Sequence, residues 1–199
     1  MRIAICGGSG SGKTTLAKYI SEKFDIPYVF TDGEALRAKY GYSSHKAIIA
    51  DAGIDPQRAL NYQMDLLNER IAKLTASDNL VMDRSLVDNA TYFLLQLSPH
   101  ISGDRTLQFI SKCVLSQPKI THQIFIPPCY SGLPEDDGVR IQNRDYQDLS
   151  YHTAEFVATK YFGFNLVNTV QPTHPYCKVL ILDKWDLDWR KEVVGKFLL

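Results

Sequence analysis

The sequence feature that most constrains this chain is a glycine-rich turn close to its amino end. Residues Gly7–Thr14 read GGSGSGKT and match the pattern G-x-x-x-x-G-K-[ST] in full. The apolar run Arg2–Cys6 before the turn predicts a β-strand, and Lys13–Lys23 after it predicts a helix with one apolar face. Because this motif acts only between a strand and a helix, we expect Gly7–Thr14 to bind the phosphates of a nucleoside triphosphate. We call these residues the phosphate loop.

Each residue type in the phosphate loop has a physical role in holding phosphates. Glycines let the backbone curl so that successive N–H groups point at an anion, and the positive end of the next helix adds to the attraction. Lys13 is expected to bridge the β- and γ-phosphates of ATP, and the Thr14 hydroxyl to coordinate Mg²⁺. Thr15 is counted among the predicted phosphate-binding residues, although its position favours the surface of the helix. The predicted cofactor-binding residues are Gly8, Ser9, Gly10, Ser11, Gly12, Lys13, Thr14 and Thr15.

The rest of the chain alternates short apolar runs with longer segments of helical period. This alternation predicts an α/β fold in which helices flank a parallel sheet. Two runs, 165–170 and 178–182, both have the character of a last strand, and the pattern leaves open which of them completes the sheet. The other predicted strands are 27–31, 79–83 and 123–126, and the other predicted helices begin near 56, 88, 104, 145 and 186.

Composition narrows the class of protein without indicating its chemistry. The 199 residues, 45% apolar and 22% charged, fit one globular domain over 1–199. Lys plus Arg and Asp plus Glu both number 22, so net charge does not indicate nucleic acid, although a local basic patch is left open. No apolar run approaches the ~18 residues of a membrane span. Four scattered cysteines without a C-x-x-C pair indicate free thiols and a cytoplasmic location.

The segment Ile26–Ala38, read with the phosphate loop, resembles adenylate kinase and its relatives among the nucleoside monophosphate kinases. In that family a second strand ends in Thr and an acidic residue, and a helix then presents an Arg to the acceptor's phosphate. The resemblance implies that Thr31, Asp32 and Arg37 contact the acceptor, although Asp32-Gly33 reverses the family's Gly-Asp order. It also implies a three-layer α/β/α fold with a five-stranded, mostly parallel sheet of order 2-3-1-4-5, and an acceptor-binding insertion near 33–75.

A second run places a carboxylate at the end of an apolar strand. Residues 79–83 read NLVMD, so Asp83 would lie beside the phosphate loop and hold Mg²⁺. Arg84 follows and would point toward the acceptor. This D-R-S run, with Asp88 and Tyr92 after it, is similar to thymidylate kinase and to P-loop kinases and ATPases related to nicotinamide riboside kinase. The alternative interpretation is an Asp that caps a helix, followed by a surface Arg.

A charged segment follows the fourth predicted strand, where kinases of this type carry a lid. The resemblance places a lid near 129–148 and makes Arg140 and Arg144 the arginines that would stabilise the transferring phosphoryl group. The two are four residues apart, one helical turn, so they could share a face. A polar surface loop is the alternative interpretation.

Three hypotheses for function remain open. The first is transfer of a phosphoryl group from ATP, with Mg²⁺, to a (deoxy)nucleoside monophosphate, which requires that Arg37 and Arg84 both reach the acceptor phosphate. The second is phosphorylation of a hydroxyl on a nucleoside, nicotinamide riboside or modified DNA base, which needs a carboxylate base such as Asp32 or Asp83. The third is a P-loop ATPase or switch without a small acceptor. Tyr62 is predicted to stack on an acceptor base, although helix packing is the favoured role for it. A homodimer is compatible with all three hypotheses.

Overall fold

Five parallel strands form a single sheet at the centre of the computed structural model. The strands are β1 (Arg2–Gly7), β2 (Tyr28–Val29), β3 (Leu80–Met82), β4 (His122–Ile126) and β5 (Lys178–Ile181). Their order is β2-β3-β1-β4-β5 and every pairing is parallel, which confirms the predicted α/β/α fold and strand order. The structure describes residues 1–31, 33–127, 141, 143–166 and 173–199.

Eight helices lie among the described residues. Asp55 caps the longest of them, its carboxylate accepting the Arg58 N–H at 3.0 Å, and Pro56 stands in the first turn as the sequence predicts. No helix among residues 1–31, 33–127, 141, 143–166 and 173–199 is long and apolar enough to cross a membrane. The helices are α1 (Lys13–Phe24), α2 (Gly33–Lys39), α3 (His45–Ala52), α4 (Pro56–Thr75), α5 (Leu86–Gln96), α6 (Gly103–Ser116), α7 (Arg144–Phe162) and α8 (Leu187–Leu198).

The structure identifies the strand that completes the sheet. β5 pairs with β4 over four residue pairs, from His122 with Lys178 to Phe125 with Ile181. In the competing run, Asn165 forms an isolated antiparallel bridge with Thr173, and 167–170 lie outside the described residues. The short helix α3 is an addition that the sequence pattern did not predict. At eight residues it is too short for a clear apolar period, although Ser44 caps it through the Ala47 N–H.

The core has two layers because β1 is buried on both faces. Ile3 and Ile5 pack with α1 and α8 on one face, while Ala4 and Cys6 face the larger cluster formed by α4 to α7. A strand covered on both sides explains why Arg2–Gly7 is a continuous apolar run instead of an alternating one. Parallel pairing then brings the carboxyl ends of β1, β2 and β3 to one edge of the sheet, where open α/β sheets bind ligands.

Three of the four cysteines are free thiols in the structure, as the sequence predicts. Cys6 and Cys113 are buried and Cys177 is partly buried, while Cys129 lies outside the described residues. Burial raises the pKa of Cys113 and of Cys177 to about 12. These thiols are therefore protonated members of the core at neutral pH.

Candidate active site

The phosphate loop turns from β1 into α1 through two left-handed glycines. Gly10 has a φ of 76° and Gly12, the N-cap of α1, has a φ of 84°. Side chains are disfavoured at these angles, so the turn requires glycine at both positions. Gly7 is constrained by space instead, because a Cβ there would lie 2.8 Å from the Ile126 carbonyl oxygen. The loop therefore adopts the curled backbone on which its predicted function depends.

The side chain of Lys13 folds back onto the loop that precedes it. Its ammonium group donates to the Gly8 carbonyl at 2.5 Å and to Ser11 Oγ at 3.3 Å, and the residue is only 6% exposed. Burial, with a smaller contribution from the positive charge of Arg84, lowers the pKa of Lys13 to about 7. A poorly hydrated cation in this position gains more from an incoming phosphate than an exposed lysine would.

Asp83 and Thr14 meet at the edge of the sheet beside the phosphate loop. Thr14 Oγ1 donates to Asp83 Oδ2 at 2.7 Å, and the Tyr28 hydroxyl donates to the same oxygen at 3.0 Å. Burial and the Asp83 charge both raise the pKa of Tyr28, so the phenol stays protonated as a donor. A carboxylate and a hydroxyl oxygen in contact are the hard ligands that Mg²⁺ prefers, so this pair fits the predicted metal site.

Arg84 lines the cavity instead of lying on the surface. Its Nη1 donates to Asp88 Oδ1 and to the Tyr92 hydroxyl, both at 3.3 Å, and the guanidinium lies 5.2 Å from the Tyr92 ring centre. Asp88 also forms a capping box with Ser85, the N-cap of α5. The alternative interpretation of Asp83 as a helix cap is therefore wrong, because Ser85 and Asp88 carry out that role.

One cavity of about 510 Å³ opens between the phosphate loop and helices α2, α4 and α5. Ser9 and Asp83 line one end of it, beside the loop. We call this end the donor side, and the part lined by α2, α4 and α5 the acceptor side. The predicted acceptor residues Thr31, Arg37 and Tyr62, together with Arg84, all contribute to the lining.

The acceptor side contains a third arginine, which the sequence analysis did not predict. Arg70, on α4, is 5% exposed and donates to Thr31 Oγ1 and the Ser85 carbonyl at 3.3 Å each, and to Asn89 Oδ1. Burial lowers its pKa to about 10. A signal for it existed in the sequence, since Arg70 lies three residues after Leu67 and four before Leu74, on the apolar stripe of α4.

Buried amide side chains form the far wall of the cavity, and no motif pointed to them. Gln63 of α4 donates to Gln96 of α5 at 3.0 Å, and both line the cavity. The Oε1 of Gln63 and the Nδ2 of Asn89 are buried without a hydrogen-bond partner within the described part of the chain. Unsatisfied buried amides facing a cavity provide donors and acceptors for a polar ligand.

Two further side chains reach the phosphate loop from the carboxyl-terminal half of the chain. Gln147 of α7 donates to the Ser9 carbonyl at 3.0 Å, and Arg190 of α8 donates to the Ser11 carbonyl at 2.7 Å. Both residues are almost fully buried. No spacing in the sequence connects Gln147 or Arg190 with a loop more than 130 residues earlier.

Several predicted residues are not brought to the cavity in the described structure. Arg144 is the first residue of α7 and Thr15 lies on α1; both are exposed and neither lines the cavity. Asp32 and Arg140 lie outside the described residues, as does most of the predicted lid near 129–148, of which 141 and 143–148 are described. The roles proposed for these residues stay predictions.

Tyr62 has two neighbours of its own kind as well as a place on the cavity wall. Its ring meets those of Tyr40 and Tyr42 edge to face, with centroids 5.7 and 5.5 Å away. It is buried in this three-tyrosine cluster, which packs with Ile48 of α3. The contacts fit the packing role that the sequence favoured. Tyr62 also lines the cavity, and its contact with an acceptor stays a prediction.

Comparison with known proteins identifies the family and related folds. A family model described as an AAA domain matches residues 2–169. Adenylate kinase from Rhodococcus erythropolis (strain PR4 / NBRC 100887) is 31% identical over 85 residues, which are 42% of this chain and 46% of that protein. The alignment thus spans less than half of that relative.

Solved structures share the fold at low sequence identity. Deoxyadenosine kinase from M. mycoides, with the products dCMP and a flexible dCDP bound, superposes with a TM-score of 0.65 at 15% identity over 100% of this chain and 98% of that one. NadR in complex with NAD and AMP-PNP superposes with a TM-score of 0.60 at 16% identity over 98% of this chain and 49% of that one. The family match over most of the chain shows that the protein belongs to the family described as an AAA domain, and the solved structures show that it shares their fold.

Proposed function

We propose that this protein transfers the γ-phosphoryl group of ATP, with Mg²⁺, to the phosphate of a nucleoside or deoxynucleoside monophosphate. The kinase fold and the adenylate kinase relative support a kinase in general. The more specific proposal rests on the charges of the acceptor side. An acceptor that carries a phosphate needs fixed cations close to the phosphate loop, and three arginines line this cavity.

The observation that carries the proposal is that two of these arginines have no carboxylate partner among the described residues. Arg84 is paired with Asp88 at 3.3 Å. Arg70 binds a hydroxyl, a carbonyl and an amide oxygen, and Arg37 contacts His45, Nη1 to Nε2, at 3.5 Å. Guanidinium groups that face a cavity without a counter-ion attract an anion that can accept two parallel hydrogen bonds. A phosphate monoester is such an anion.

The donor side would hold the reacting end of ATP. Backbone N–H groups of the phosphate loop and Lys13 would bind the β- and γ-phosphates, and Thr14 and Asp83 would hold Mg²⁺. Bound there, the metal ion supplies positive charge against the charge that spreads over the transferring group. The arginines would place the acceptor's phosphate oxygen in line with the γ-phosphorus. That oxygen is already anionic at neutral pH, so the reaction needs no general base. Arg140 and Arg144 are proposed to reach the transferring group once substrates are bound.

A second candidate acceptor, a hydroxyl of a nucleoside-like molecule, is favoured by one observation. The carboxylate of Glu34, at the start of α2, also lines the cavity and has no ion pair among the described residues. A hydroxyl must lose a proton as it attacks, and an unpaired carboxylate is a suitable base. Asp32 and Asp83 are the other carboxylates proposed for that role.

A substrate screen tests the two candidates together. ATP consumption with Mg²⁺ is measured against all ribo- and deoxyribonucleoside monophosphates and the corresponding nucleosides, and the product is identified by its mass. We expect turnover with at least one monophosphate and none with the nucleosides. Turnover with nucleosides alone would replace the first proposal by the second, and ATP hydrolysis without any acceptor dependence would reject both.

Two carboxylate variants give an independent test of the same choice. Glu34→Gln and Asp32→Asn each remove one base that a hydroxyl acceptor would need, and kcat is measured with the best acceptor. For a monophosphate acceptor we expect kcat within about threefold of the wild type, because no proton is transferred to protein. A fall of 100-fold or more, in the range of general base catalysis, would favour the hydroxyl acceptor. The exposed Glu22→Gln on α1 is the matched control.

A further inference from the structure

Side chains from two carboxyl-terminal helices donate hydrogen bonds to the phosphate loop. Gln147 of α7 donates its Nε2–H to the Ser9 carbonyl at 3.0 Å, and Arg190 of α8 donates Nη1–H to the Ser11 carbonyl at 2.7 Å. The two acceptors are alternate carbonyls of one turn. The two donors lie 138 and 179 residues away from them in the sequence. Hydrogen bonds to these two carbonyls determine the direction of the neighbouring N–H groups of the turn.

That consequence follows from the planarity of the peptide bond. In a trans peptide the C=O and the next N–H point in opposite directions. A donor that holds the Ser11 carbonyl therefore fixes the Gly12 N–H on the other side, and one that holds the Ser9 carbonyl does the same for the Gly10 N–H. Gly10 and Gly12 are the two residues of the phosphate loop with positive φ, where the backbone has most freedom to turn away. The two side chains therefore fix the orientation of the two peptide groups of the loop that are freest to rotate.

The guanidinium of Arg190 loses most of its hydration in the position from which it contacts the loop. It is 2% exposed, Nε donates to the Lys184 carbonyl at 2.6 Å, and the guanidinium lies 5.4 Å from the Trp185 ring centre. A buried arginine needs compensating interactions, and the carbonyls and the aromatic face provide them. Its Nη1 would lie 3.3 Å from a Cβ placed on Gly12, so the guanidinium also packs directly against the loop.

We propose that Arg190 is a positioning residue for the phosphates of the donor nucleotide, and that Gln147 assists it from α7. Arg190 acts through the Ser11–Gly12 peptide, and its positive charge adds to the potential at the loop. The inference rests on the proposed function only in that the loop binds a nucleoside triphosphate. It implies that α8, which carries none of the predicted site residues, determines affinity for ATP and leaves the acceptor side unaffected.

The test measures ATP binding directly and the two Michaelis constants separately. Arg190→Met keeps the length and apolar stem of the side chain and removes its donors, Arg190→Lys keeps the charge, and Gln147→Leu removes the second donor. Lys196→Met is the matched control, since it removes one exposed positive charge from the same helix without contact to the loop. Binding of Mg-ATP is measured by calorimetry, and folding by circular dichroism and thermal melting.

We expect Arg190→Met to raise the Kd for Mg-ATP by about tenfold, Gln147→Leu by about threefold, and Arg190→Lys by an intermediate factor. The acceptor KM should stay within twofold in each variant, as should every constant in Lys196→Met. A folded Arg190→Met that binds ATP within twofold of the wild type would overturn the inference, as would equal rises in both Michaelis constants. If Arg190→Met does not fold, wild-type affinity in both Arg190→Lys and Gln147→Leu overturns it.

These outcomes are distinct from failure of the proposed function. A wild-type protein that binds Mg-ATP but transfers no phosphoryl group to any acceptor contradicts the proposed reaction and leaves the binding test intact. A wild-type protein that phosphorylates an acceptor, with affinity for ATP indifferent to Arg190 and Gln147, contradicts the inference alone.

Discussion

The donor side and the acceptor side of the cavity are built by different means. On the donor side, the phosphate loop obtains its shape from glycine conformations and from residues within one short stretch of sequence. On the acceptor side, Arg70 bonds to Thr31, which is 39 residues away, and Gln63 bonds to Gln96, which is 33 residues away. The backbone shape of the first region is thus specified locally, with distant support from Gln147 and Arg190, whereas the second region is specified by tertiary packing throughout. Substitutions on the donor side should alter chemistry with little effect on stability, and those on the acceptor side should alter both.

The largest effect is expected from Lys13→Ala on the donor side. Removing the cation that follows the γ-phosphate should lower kcat/KM by roughly a thousandfold. The free energy of unfolding should change little, because the buried ammonium is poorly hydrated and its loss relieves that cost. Steady-state kinetics and urea denaturation measure the two quantities, with the exposed Lys18→Ala on the same helix as control. Near-full activity in Lys13→Ala would remove the phosphate loop from the mechanism.

Arg70→Met on the acceptor side should combine a loss of stability with a loss of affinity. The substitution leaves the buried Asn89 Oδ1 and the Ser85 carbonyl without their donor, so we expect the free energy of unfolding to fall by about 2 to 3 kcal/mol. The acceptor KM should rise at the same time. Denaturant titration and kinetics at a temperature well below the midpoint test both effects. An Arg70→Met protein as stable as the wild type would break the contrast between the two sides.

Arg37→Ala should sharpen the contrast, because Arg37 lines the cavity without the buried network that surrounds Arg70. We expect the acceptor KM to rise by about tenfold, the value of a charge-assisted hydrogen bond, with the ATP KM within twofold. Kinetics with each substrate varied in turn measure this. Lys39→Ala, two residues along the same helix and more exposed, is the control. Equal rises in both constants would place Arg37 outside the acceptor side.

The smallest effect concerns His122, at the amino end of β4 and away from both sides. Burial, with the nearby charges of Lys178 and the amino terminus, lowers the pKa of His122 to about 4. The folded pKa lies below the unfolded value of about 6.5. The contribution of the neutral His122 ring to the free energy of unfolding is therefore fully present above pH 6.5 and is lost as pH falls toward 4.

We expect this loss to be about 1 to 2 kcal/mol after allowance for the exposed part of the ring. Urea titrations between pH 7 and pH 4.5 should show a steeper decline for the wild type than for His122→Gln. Neither Michaelis constant should change at pH 7, which separates a stability effect from an effect on the cavity. Parallel declines in the two proteins would contradict the assignment.

The same division into local and tertiary explains how much the sequence could predict. The α/β class and the position of Lys13, Thr14 and Asp83 followed from short patterns, because a strand, a glycine turn and a helix start are each encoded by neighbouring residues. The strand order was implied by the resemblance to adenylate kinase and its relatives. The choice between two candidate last strands could not be made, since both are apolar and only pairing with β4 distinguishes them. Helix α3 was missed because eight residues give too short a period.

The cavity side chains that the sequence analysis did not predict were overlooked for one physical reason. Arg70 and the amides Gln63 and Gln96 acquire meaning only when α4 packs against α5, and no spacing along the chain encodes that contact. Arg70 still left a signal, as a charge on an apolar stripe, and so did Arg190, which lies three residues after Leu187 and four before Val194, whereas Gln147 left none. A polar residue on an apolar helical face is thus the pattern from which tertiary site residues could be identified in advance.

The cap of α5 ties helix folding to the orientation of a cavity arginine. One Asp88 oxygen, Oδ2, accepts from the Ser85 backbone at 2.7 Å and its hydroxyl at 2.8 Å, while the other, Oδ1, accepts from Arg84. Thermal fraying of this first turn would release the guanidinium in the same event. The affinity for the proposed acceptor should therefore fall with heating before the molecule as a whole melts.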